Sequence, residues 1–155
     1  MNQLEKDIKK NKTPCINDAI VNIFKNVPFH NLLGIEILET ETDRAKVLIN
    51  FRPELAGGIN AFHGGVVSSL IDLTGGLASW CGHYSMQGRN DVLNLKRSTL
   101  MLSVQYLSNV NGEPIIAEGV VTKRTKELIF SNIEVRSHPN GKLIATGSMV
   151  YRISE

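Results

Sequence analysis

Aromatic residues make up only 6% of this 155-residue chain, cysteine occurs twice, and the charges nearly cancel at +2. Each scarcity excludes something. A near-neutral balance argues against a nucleic-acid binder that draws its affinity from counterion release. Cys15 and Cys81 have neither zinc nor redox spacing and read as reduced, buried thiols. No apolar run reaches membrane-spanning length, because the best candidate, Val66 to Cys81, is broken by Asp72 and two glycines. Met1 to Thr13 is rich in Lys, Asp, Glu and Asn and lacks the apolar stretch of a signal peptide. The expectation is a flexible tail over 1–13 on a cytoplasmic protein, followed by one domain over 14–155.

What is present is ordinary in amount and informative in order. Hydrophobic residues are 42% and charged ones 21%, as in a globular domain. Pro14 is expected to open a helix in which Ile16, Ile20, Ile23, Phe24 and Val27 recur at helical spacing until Pro28 stops it. From Gly34 the period becomes two, which predicts a strand around Ile35, Ile37 and Leu38. A turn at Asp43 and a second strand over Lys46 to Arg52 follow. Arg52 to Ala61 reads as a Pro/Gly loop and His63 to about Tyr84 as a long apolar, Gly-rich helix. Four strands then follow: Val92–Leu107, Ile115–Thr125, Leu128–Ser137 and Leu143–Ile153. The Asn140-Gly141 pair suits a tight hairpin between the last two. A helix with apolar residues on most sides cannot lie on a surface. The economical fold is α+β, an antiparallel sheet of about six strands curled around the central helix. One sheet covers only part of such a helix, so a second subunit is expected to cover the rest.

On a helical wheel centred on Asp72, every neighbour within about 60° is Gly or Ser: Gly65, Ser68, Ser69, Gly75, Gly76 and Ser79. Val66, Val67, Leu70, Ile71, Leu73, Leu77 and Trp80 occupy the other faces. Glycine inside a helix costs about 1 kcal/mol relative to alanine, so this surface needs space for a close approach. A carboxylate at its centre is either paired or functional. It could bond to Ser68 or Ser69, pair with Arg97, or face a wet subunit seam; the small face could equally be a helix-packing seam. At the helix start, Asn60-Ala61-Phe62-His63-Gly64-Gly65 gathers a histidine and two glycines where free backbone N–H groups and partial positive charge collect. Such an end suits a carbonyl oxygen becoming an oxyanion, although a capping histidine and a glycine turn would look the same. His63 and Asp72 are nine residues apart, roughly 13 Å along a helix and on opposite faces. If both serve one reacting carbon, two chains must supply them, at a symmetric interface with two sites per dimer.

The segment His63-Gly64-Gly65-Val66-Val67-Ser68-Ser69-Leu70-Ile71-Asp72 resembles hotdog-fold thioesterases of the phenylacetyl-CoA thioesterase-like branch. In these the helix opens H-G-G and carries an acid nine residues after the His. The likeness runs from about Gly34 to Ile153. It includes Tyr106-Leu107-Ser108 after a long strand and Gly141-Lys142-Leu143-Ile144-Ala145-Thr146-Gly147 at the last one. The resemblance implies hydrolysis of acyl-CoA thioesters by a homodimer or dimer of dimers, without metal or cofactor. The Gly64 N–H would polarise the thioester carbonyl, and Asp72 of the other subunit would act as general base or nucleophile. Thr99 would orient the carboxylate or water, unless it is an ordinary strand threonine. His63 would sit near the leaving thiolate or hold the loop.

Gly65 and Ser68, on the Asp72 face, are expected against the substrate, and Arg97 and Arg124 against the phosphates of coenzyme A. One departure stands out. Several relatives place Asn or Gln six residues before the His, contributing to the oxyanion hole, where this chain has Gly57; Asn60 is the candidate substitute. Loss of one such donor costs about a hundredfold in rate. Low aromatic content points to an aliphatic, medium- or long-chain acyl group. Two alternatives remain at this level: a non-catalytic acyl-CoA sensor of the same fold, and a hydratase. The roughly thirty residues before the domain are too few for a helix-turn-helix unit, which counts against a transcription regulator.

Overall fold

The computed structural model describes residues 18–87 and 95–154. The tail, the Pro14 helix start, Cys15 and the first residues of the Val92 strand lie outside them. Helix α1 spans Asp18–Lys25 and buries Ile20 and Phe24. Pro28 does not merely end it. It occupies the first turn of a second helix, α2 (Pro28–Leu33), where its missing N–H is no loss. Gly34 closes α2 in the left-handed region at φ 68°, its N–H reaching back to the carbonyls of His30 and Asn31.

Strands β1 (Ile35–Glu41) and β2 (Arg44–Ile49) form a hairpin whose turn residue, Asp43, has φ 64°. The expected loop holds small ordered pieces: a 3-10 turn at Pro53–Leu55 and a two-stranded ribbon, β3 (Ala56–Gly58) with β4 (Ala61–Phe62). Helix α3 runs for 24 residues, Gly64–Gln87. Strands β5 (Lys96–Tyr106), β6 (Ile115–Arg124), β7 (Leu128–Ser137) and β8 (Leu143–Ser154) complete the element order. The β7–β8 connection, 138–142, is longer than a two-residue turn, with Gly141 at φ 71°.

Six strands form one antiparallel sheet in the order β1-β2-β6-β7-β8-β5. Helix α3 lies across it, and Leu70, Ile71 and Leu77 are fully buried with Val47, Ala117, Val135 and Ala145. The approach is close. A Cβ on Gly147 of β8 would lie 2.4 Å from the Ile71 side chain, so glycine there makes room for the helix. Part of the remaining helix surface is covered by α1, through an edge-on contact of Phe24 with Trp80. The chain therefore supplies some of the cover expected from a partner. Strand β5 forms one edge of the sheet and exposes Leu100, Met101 and Tyr106. No helix among the described residues is long and apolar enough to cross a membrane.

Candidate active site

Asp72 sits about a third of the way along α3, half-buried, where the helix passes β5. Its Oδ1 accepts a 2.7 Å hydrogen bond from the Thr99 hydroxyl. The strand thus fixes a carboxylate that the helix alone would leave free to rotate. Ser68 and Ser69 do not pair with it; both donate to the Gly65 carbonyl, at 3.1 and 2.7 Å. Arg97 forms no ion pair among the described residues; its guanidinium lies 4.1 Å above the Trp80 ring.

These groups line a pocket of about 310 Å³ with Ser69, Gly76, His30 and Tyr151. The Trp80 Nε1–H donates to the Tyr151 hydroxyl at 2.8 Å. Burial pushes the Tyr151 phenol up, outweighing the lowering by that hydrogen bond and by the Arg97 charge. Rings of Phe24, Phe29, His30, Trp80 and Tyr151 converge here, although the chain is poor in aromatics.

The start of α3 faces a second pocket, of about 420 Å³, lined by Phe62, Gly64, Val67, Tyr106 and Leu107 among others. His63 caps the helix: its Nδ1 accepts from the Gly65 N–H at 2.8 Å and its carbonyl from the N–H groups of Val66 and Val67. Only the Gly64 N–H of this first turn has no acceptor among the described residues. The Gly64 carbonyl accepts from the Tyr106 hydroxyl at 3.1 Å. Gly64 and Asp72, eight residues apart, are separated by roughly 12 Å of helix and open into different pockets.

The structure thus brings Asp72, Thr99 and Arg97 together and places Gly64 at the other pocket, while His63, Gly65 and Ser68 line neither. Asn60 lines neither; it turns the β3–β4 ribbon at φ 54°, with its carbonyl bonded to the Gly112 N–H. Arg124 is elsewhere, bonded through Nε to Asp43 at 2.6 Å and through Nη2 to the Ser79 carbonyl at 2.8 Å. Sequence reasoning missed His30, Tyr106 and Tyr151 and assigned Trp80 to the core. Trp80 lies at about 80° from Asp72 on the wheel, just outside the small face. His30 had no signal, because it belongs to a helix the Pro28 reading did not expect.

Comparison with known proteins bears on the family and the fold. No family model matches the chain. A protein of Saccharolobus solfataricus named "Putative esterase SSO2140" is 30% identical over 126 residues, covering 81% of this chain and 83% of that protein. The chain belongs to the hotdog-fold thioesterase superfamily. Human acyl-coenzyme A thioesterase 13 is 25% identical over 87% of this chain and 91% of its own length. Among solved structures of the superfamily, a Shewanella oneidensis protein superposes with a TM-score of 0.77 at 28% identity, over 99% of this chain and 100% of that one.

Proposed function

We propose that the protein hydrolyses acyl-CoA thioesters to a free acid and CoA, with Asp72 as the reacting carboxylate and Gly64 of a second subunit as the oxyanion donor. The observation that carries this reading is the half-buried Asp72, held by Thr99 inside a pocket. As general base, Asp72 removes a proton from water while the water oxygen attacks the thioester carbon. The tetrahedral intermediate collapses, the C–S bond breaks, and the thiolate leaves with its electron pair. As nucleophile, Asp72 would instead form an acyl anhydride that water then opens. In both routes negative charge gathers on the carbonyl oxygen, which the unpaired Gly64 N–H at the positive end of α3 is suited to receive.

Strand β5 supports the two-chain arrangement. Its beginning (Arg97, Ser98, Thr99) lines the Asp72 pocket and its end (Tyr106) lines the Gly64 pocket. Two β5 edges paired antiparallel across a dyad would bring the Asp72 end of one chain to the Gly64 end of the other. The exposed Leu100 and Met101 would be covered at the same time. The reading is tested by CoA thiol release from a panel of acyl-CoAs. Asp72→Asn is expected to lose at least about a hundredfold in kcat. Wild-type turnover by Asp72→Asn would overturn the mechanism, and tight acyl-CoA binding without turnover in the unaltered protein would favour the sensor reading.

A further inference from the structure

Arg97 is placed unlike a surface arginine. One face of its guanidinium rests on Trp80, and its Nη1 is buried with no hydrogen-bond partner among the described residues. Stacking on an indole satisfies the face of the cation but not its N–H edge. A buried charge with an unpaired edge is costly unless an anion completes it. Asp72 does not serve, since it forms no ion pair with Arg97 and its Oδ1 is taken by Thr99. Beside the cation, Tyr151 is only 8% exposed and accepts from Trp80, so its own O–H proton has no acceptor among the described residues. Two donors without acceptors therefore line the pocket that holds the reacting carboxylate.

Their position along the strand gives a length. Arg97 and Thr99 are two residues apart on β5, so their side chains share a face about 7 Å apart. An anion on Arg97 would stand about that far from the carbonyl carbon beside Thr99 and Asp72. We infer that the acyl group accepted here is short and ends in a carboxylate, the substrate being the CoA monothioester of a dicarboxylic acid. Arg97 and the Tyr151 hydroxyl hold the far carboxylate. This rests on the thioesterase reading of the same site and assigns Arg97 to the acyl end of the substrate instead of its phosphates.

The experiment compares adipoyl-CoA with hexanoyl-CoA, equal in chain length and different in the terminal group. The unaltered protein is expected to favour adipoyl-CoA at least about tenfold in kcat/KM, and Arg97→Met to bring the ratio to one or below. Arg97→Lys, which keeps the charge and loses the planar stack, should fall between. Trp80 is the chain's single tryptophan and lies against Arg97. Its fluorescence therefore reports binding of inert thioether analogues of both substrates without turnover. A tenfold tighter adipoyl analogue on a protein that hydrolyses neither substrate would keep the carboxylate site and remove the thioesterase reading. A ratio of one or less in the unaltered protein overturns the inference. So does an equal loss for both substrates in Arg97→Met, the result expected if Arg97 serves the phosphates or only packs on Trp80.

Discussion

Position 57 shows how a missing side chain can be a packing requirement. A Cβ on Gly57 would stand 2.7 Å from the His63 Cα and 3.0 Å from its Cδ2, where the His63 N–H bonds back to the Leu55 carbonyl. His63 is the residue that caps α3, so pushing it away disturbs the turn that presents the Gly64 N–H. Restoring the relatives' side chain by Gly57→Asn is therefore expected to lower stability by about 1–3 kcal/mol and to leave kcat no higher. Thermal unfolding and the acyl-CoA assay on the same preparation check both parts; a faster, equally stable variant would show that the site does lack a donor. Residue spacing had made Asp72 conspicuous as the one charge on a Gly/Ser face. The Thr99 partner, 27 positions away on another element, was indicated only by resemblance, because periodicity says nothing about which strand lies beside which helix turn.

At the scale of elements, the turn between β1 and β2 is tied to the far half of α3. Arg124 on β6 bridges Asp43 and the Ser79 carbonyl, and this bridge crosses the helix at Gly82. A Cβ there would run into the Asp43 carboxylate and the Arg124 guanidinium, so a side chain at this position has to displace the bridge, an effect unrelated to substrate. Gly82→Ala is expected to break the bridge and cost about 1–3 kcal/mol, despite alanine's better helix propensity. In an Arg124→Met background the same substitution should cost clearly less, and equal costs measured by denaturant unfolding would rule the bridge out as the cause.

The long elements were readable from pattern. Helix α3 is apolar on most faces, and turns containing Asn-Gly and Pro separate β5 from β6 and β7 from β8. Helix α2 and the β3–β4 ribbon were not, because pieces of two to six residues carry too few periodic positions and are held by their neighbours.

For the whole molecule, the sheet order decides what the chain can do alone. That β5 pairs with β8 and ends the sheet could not be read from the strand sequence, since edge position depends on long-range pairing. Yet this edge runs between the two pockets and would relate Asp72 to Gly64 only across a dyad. A shared site can be tested by complementation. Proline suits the first helical position, so Gly64→Pro removes the N–H without breaking α3, and a Cβ there first meets the Tyr106 side chain, at an ordinary 3.5 Å. Gly64→Pro and Asp72→Asn should each lose about a hundredfold or more in kcat as homodimers. A mixed dimer carries both defects in one of its sites and neither in the other. Unfolding and refolding the two variants together should therefore restore up to about a quarter of unaltered activity, since half of the dimers are mixed and each has one intact site. Separately refolded variants combined afterwards are the control. No recovery after co-refolding, with mixed dimers confirmed by differential tagging, would show that Gly64 and Asp72 do not complete one site across two chains.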